Sequence, residues 1–96
     1  MNGISIVIPA FNAERTLREC LEAIATLEWS GEVEVIVIND NNSDRTSEIA
    51  SSFPRVRVID IPHWGQRRAT NIGIEAAHYD IIIVVGADAV FGRHQS

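Results

Sequence analysis

Apolar positions cluster in four short runs, Ile4 to Ile8, Val33 to Ile38, Val56 to Ile61 and Ile81 to Val85. Each is rich in valine and isoleucine and bounded by Pro, Gly, Asn or Asp. Strands buried on both faces read this way, which favours a parallel sheet. Between the runs the period changes to that of a helix. With Asn12 as the cap, Leu17, Leu21, Ile24 and Leu27 share one face, while Glu14, Arg15, Arg18 and Glu22 lie outside it. Trp29, Ser30 and Gly31 end that helix. A shorter one is predicted to start near Ser43 or Asp44 and to carry Thr46, Ile49 and Ala50. A third runs from Gln66 to Ala77, with Ala69, Ile72, Gly73 and Ala76 along one side.

Strand and helix therefore alternate from the first run to the last. With right-handed crossovers this order predicts an α/β fold, an open, doubly wound, mostly parallel sheet, as a single domain over residues 1–96. Ligands of such sheets bind at the carboxyl ends of the strands, where strand order reverses. Composition is consistent with this picture: 96 residues suffice for one small domain, and 46% hydrophobic residues can fill an aliphatic core. The formal net charge of −5 argues against nucleic acid as a partner, because neutralising phosphates needs a basic face. It does not exclude a nucleotide, since a divalent cation can bridge carboxylates and phosphates. Cys20 is the single cysteine, so there is no internal disulfide; it reads as a small buried hydrophobe in a reducing compartment. No apolar run approaches the ~20 residues of a membrane span, and Met1 to Ala10 lacks the basic start of a signal peptide. The expected location is cytoplasmic.

Chemistry is expected after the strands. Pro9-Ala10-Phe11-Asn12 follows the first run. Proline there is expected to end ladder pairing and Asn12 to cap the helix, and backbone groups of the loop can also hold a planar base. Asn39 to Thr46 is a dense run of turn and cap residues. Asp40 stands at the strand end itself. Two roles are open to it: stabilising the turn, or accepting a hydrogen bond from a base N–H such as that of uracil. The fourth run ends in Gly86-Ala87-Asp88, where Asp88 is either a cap or an oxygen ligand for Mg²⁺ or Mn²⁺. Arg67 and Arg68 open the third helix, either as phosphate contacts or as solvated side chains. His63, His78 and His94 have no metal-ligand spacing. No Walker-A lysine exists, the chain having no lysine at all, and no Gly-x-Gly-x-x-Gly follows the first run.

Ile6 to Asn12, Val35 to Thr46, Gly65 through Gly73 with Asn71, and Val84 to Asp88 together resemble the amino-terminal half of family 2 glycosyltransferases, which have the GT-A fold. The resemblance covers essentially the whole chain. It implies a module that binds a nucleotide-diphospho-sugar, with a UDP-sugar as the expected donor. The complete enzyme would transfer the sugar to an acceptor hydroxyl with inversion. Asp40 looks like the second aspartate of the family's Asp-Asp pair, which contacts the base. Asp88 looks like the last aspartate of Asp-x-Asp, which binds the cation, and Pro9, Ala10, Asn12, Arg67 and Arg68 fall in segments bordering the nucleotide. Three departures stand out: Asn39 replaces the first aspartate of the pair, Thr70 stands where an arginine often precedes Asn71, and Gly86 replaces the first aspartate of Asp-x-Asp.

In the family, the acceptor site and the carboxylate acting as general base lie beyond the metal motif. Here the sequence ends eight residues after Asp88, so no catalytic residue is assigned. The expectation is a donor-binding module completed by a carboxyl-terminal half or a partner chain; a full-length parent of this kind can be membrane-associated. Two alternatives stand beside it: a non-catalytic nucleotide-sugar-binding or assembly fragment, and an unrelated doubly wound module of receiver or flavodoxin type.

Overall fold

The computed structural model describes residues 3–27, 31–40 and 45–87. Strands β1 (Gly3–Ala10), β2 (Glu32–Asn39), β3 (Val56–Asp60) and β4 (Ile81–Val84) alternate with helices α1 (Leu17–Ala25), α2 (Thr46–Ser51) and α3 (Gln66–Ala76). The sheet is parallel throughout, in the order β3-β2-β1-β4. Order reverses at β1: the chain winds outward through β2 and β3, then α3 carries it back across the sheet to β4. This is the doubly wound α/β arrangement that the alternation of periods predicts.

Burial follows position in the sheet. Every residue of β1 is buried, as are the last five of β2, because these strands have neighbours on both edges and helices on both faces. β3 and β4 are edge strands and stay partly open, so the expectation of burial on both faces holds only for the central pair. One core lies under α1 and α2, where Ile4, Ile6 and Ile8 meet Leu17, Cys20, Leu21, Ile24 and Ile49. The other lies under α3, where Ile36, Ile38 and Ile61 meet Ala69. Cys20 is thus the buried apolar residue expected. α3 sits close to β1: a Cβ on Gly73 would collide with the Val7 side chain, so the absence of a side chain sets the spacing between helix and strand.

Helix boundaries differ in detail from the sequence reading. α1 begins at Leu17 with Thr16 as its cap, not at Asn12, and it ends at Ala25. Leu27 therefore falls beyond the helix and is exposed instead of completing its apolar face. α2 begins at Thr46 with Arg45 before it; the expected start at Ser43 or Asp44, and Trp29 and Ser30, lie outside the described residues. α3 ends one residue earlier than expected, at Ala76.

At the amino-terminal end of the sheet, the α3–β4 connection is pinned to β1 and β2 through Glu34. Its carboxylate accepts from the Ser5 hydroxyl (2.7 Å), the His78 backbone N–H (2.8 Å) and Arg57 (3.0 Å), and it also meets the His78 ring. Arg57 donates further to the Ala76 carbonyl, and the Tyr79 N–H donates to Ser5. Burial alone would raise the Glu34 carboxyl, but the hydrogen bonds from His78, Ser5 and Arg57 outweigh it and hold the pKa at about 2.

Candidate functional site

At the opposite end, the carboxyl ends of β1, β2 and β4 frame an open cleft of about 500 Å³, within the size range of small-ligand sites. It lies beside the point of strand-order reversal. Pro9, Ala10, Phe11, Asn12, Ala13 and Thr16 line one side, Asp40 the floor, His63, Gln66 and Ala69 another side, and Gly86 and Ala87 the end beyond β4. Of the residues singled out from the sequence, Pro9, Ala10, Asn12 and Asp40 meet here. Arg67 and Arg68 do not line the cleft; both are exposed on the first turn of α3, and the Arg68 guanidinium stands 5.2 Å from the Trp64 ring centroid. Asp88 lies outside the described residues, immediately after Ala87.

Pro9 does not end the ladder as expected, since β1 continues through Ala10, opposite Asn39. Backbone parity explains why proline is tolerated in a central strand. Ala10 turns its carbonyl toward β2, where it accepts the Asp40 N–H at 2.8 Å. Val7 turns its carbonyl toward β4 and accepts the Val85 N–H at 2.9 Å. Pro9 shares Val7's parity, so the N–H it lacks falls on the β4 side beyond Val84, where the β1–β4 pairing has ended.

Asn12 turns the chain rather than capping α1. Its φ of 51° lies in the left-handed region, which asparagine tolerates better than most residues. The loop is then braced from α2: the buried Thr46 hydroxyl accepts the Ala13 N–H at 3.1 Å, and Glu14 accepts the Arg45 N–H at 3.0 Å.

Asp40 is only 2% exposed. Its carboxylate accepts the Trp64 N–H at 2.8 Å and the Gly65 N–H at 3.0 Å, and His63 Nδ1 stands 3.3 Å away. The aspartate therefore holds the loop ahead of α3. Gly65, the cap of α3, has φ 99° and ψ 158°, a region that glycine alone occupies without strain. Across the cleft mouth the His63 ring stacks on Phe11, with centroids 4.4 Å apart and planes at 27°. On sequence grounds alone Phe11 has no role of its own, and His63 lacks metal-ligand spacing. The available signals are an aromatic residue at a strand end and a histidine two residues before the glycine that caps α3.

Asn39 is fully buried beside Asp40, and its amide donates to the Asp60 carboxylate at 3.0 Å. This contact explains the departure from an acidic pair: an aspartate at 39 would face a second carboxylate. Among the described residues, no group of three His, Cys, Asp or Glu side chains converges on a metal position.

The sequence profile described as Glycosyl transferase family 2 matches residues 5–95. The chain belongs to this family. Among its relatives in the family is an uncharacterized glycosyltransferase of Escherichia coli K12, YibD, 36% identical over 91 residues, which are 91% of this chain and 26% of that protein. The chain thus spans about a quarter of that relative's length. Among solved structures, Staphylococcus aureus TarS residues 1–349 in complex with UDP-GlcNAc superposes with a TM-score of 0.83 at 22% identity, over 91% of this chain and 27% of that one. Glucosyl-3-phosphoglycerate synthase of Mycobacterium tuberculosis, in complex with Mn²⁺, UDP and glucosyl-3-phosphoglycerate, superposes with a TM-score of 0.75 at 28% identity, over 88% and 33% of the respective chains. The GT-A fold of family 2 is the fold of this chain, and receiver-like and flavodoxin-like readings are set aside.

Proposed function

We propose that residues 1–96 form the donor-binding part of a glycosyltransferase that uses a UDP-sugar and a divalent cation. The observation that carries this reading is the meeting of Ala10, Asn12 and Asp40 with Gly86 and Ala87 around one cleft at the point of strand-order reversal. Binding of UDP-GlcNAc by TarS, and of UDP with Mn²⁺ by the mycobacterial synthase, supports it.

In this proposal the base lies toward Asp40, whose carboxylate retains lone pairs beyond those engaged by the Trp64 and Gly65 N–H groups. Pro9, Ala10 and Asn12 form the adjoining wall, and Arg67 and Arg68 approach the diphosphate from the start of α3. Asp88 holds the cation. Mg²⁺ and Mn²⁺ both fit one carboxylate supplemented by diphosphate oxygens and water, so the loss of a second acidic side chain at Gly86 is compatible with such a site. When bound, the cation offsets negative charge that develops on the leaving diphosphate. Transfer to an acceptor hydroxyl, with inversion, belongs to the longer enzyme, whose further residues supply the general base.

Calorimetric titration of the chain with UDP, with and without Mn²⁺, tests the reading. Cation-dependent binding is expected, weakened about tenfold or more by Asp88→Ala. A folded chain that ignores UDP, or binds it equally well after Asp88→Ala, would refute it and favour a fragment that serves assembly only.

A further inference from the structure

Three residues of the cleft are joined in a way that nucleotide binding alone does not require. His63 comes from the loop before α3 and Phe11 from the loop after β1, yet their rings stack with centroids 4.4 Å apart and planes at 27°. The same imidazole places Nδ1 3.3 Å from the Asp40 carboxylate. A carboxylate only accepts, so the contact is favourable when Nδ1 carries a proton. Asp40 is almost completely buried, whereas the His63 side chain is 60% exposed and the Phe11 residue 48%. The imidazole is thus an exposed ring laid over Phe11 and the buried Asp40, all three lining the same cleft.

A planar heteroaromatic ring, stacked on one aromatic side chain with a ring nitrogen facing a carboxylate, occupies the place that a pyrimidine with an imide N–H would take. We propose that His63 is an internal stand-in for the nucleobase, a plug that must leave Phe11 and Asp40 before the base of the donor can take its place. The inference rests on the donor-binding reading above and adds a residue that sets apparent affinity. The plug is weak by construction. An exposed ring with one stacking contact and one nitrogen facing a carboxylate biases the cleft toward the closed arrangement only modestly, and the apparent dissociation constant rises as the reciprocal of the open fraction. Asp40 remains in place when His63 leaves, because the Trp64 and Gly65 N–H groups still hold it.

The test uses the full chain, wild type and His63→Ala, titrated with UDP in the presence of Mn²⁺. Removal of the plug is expected to tighten UDP binding by about threefold to tenfold. In parallel, NMR of histidine-labelled wild-type protein follows the His63 ring protons, assigned by their loss in the variant. They start shifted by the Phe11 ring current and are expected to move to the position of a free imidazole as UDP binds. UDP binding that is equal or weaker in His63→Ala, or His63 signals that stay put at saturation, would overturn the plug while leaving the donor site standing. If neither chain binds UDP, the donor-binding reading falls and takes the plug with it.

Discussion

At the scale of single residues, the cleft is governed by carboxylates and by what faces them. Asp40 is committed to backbone N–H groups, and Asn39 donates its amide to Asp60. Restoring the acidic pair by Asn39→Asp is therefore expected to destabilise the chain by about 1–3 kcal/mol, because a buried carboxylate would then meet another. Asp60→Asn on the same background should recover most of the loss. Urea melts of the two variants at neutral pH check both, and full stability of the single variant would contradict the argument. The roles of these residues were only half legible in the sequence. Asp40 is visible as a carboxylate at a strand end, but its partners arrive from a loop more than twenty residues later, and spacing carries no record of that approach. His63 stands at a readable place before Gly65, but the approach of its ring to Phe11 and Asp40 is likewise unrecorded in spacing. Asn12 looked like a cap because asparagine serves equally as a cap and as a left-handed turn residue, and only backbone geometry separates the two.

At the scale of elements, the strands and helices themselves follow from periodicity, although of the strands only β1 and the end of β2, and of the α3 face only Ala69 and Gly73, are buried. What periodicity does not show is where an edge falls; β3 and β4 read like β1 and β2 but have a neighbour on one side only. The hold on α3 is equally invisible, because Glu34 alternates with apolar residues as any strand carboxylate would. Its hydrogen bonds yield a pH prediction. The folded-state pKa of about 2 lies below the ordinary 4.5, so the stabilisation is present above pH 4.5 and is lost as pH falls toward 2. Acid unfolding should lose its steepest segment in that window after Glu34→Gln, which also lowers stability at pH 7 by about 1–3 kcal/mol. Far-UV circular dichroism across pH measures both, and an unchanged acid limb would count against the assignment.

At the scale of the whole molecule, no described helix is long and apolar enough to cross a membrane, yet one edge of the sheet is conspicuously apolar. Ile81, Ile83 and Val84 of β4 are 51%, 42% and 46% exposed, and Ile74 of α3 is exposed as well. An edge strand that, among the described residues, has no neighbour on its outer side and carries aliphatic side chains invites association. Sedimentation velocity is expected to show concentration-dependent self-association of the isolated chain. Ile83→Lys should suppress it with little loss of thermal stability, given how exposed the side chain is. A chain that stays monomeric at high concentration would show this edge to be protected.

The central place of β1 also has a consequence in time. Of the four described strands it is made first, yet the neighbour on one flank, β4, follows after seventy intervening residues. At ordinary rates of synthesis that flank stays unmatched for several seconds. During that interval β1 can zip to β2 and β2 to β3, but the wall of the cleft beyond β4 does not yet exist. In the donor-binding reading the cleft is complete only once β4 has been made, and a nascent fragment ending before Ile81 should bind no UDP.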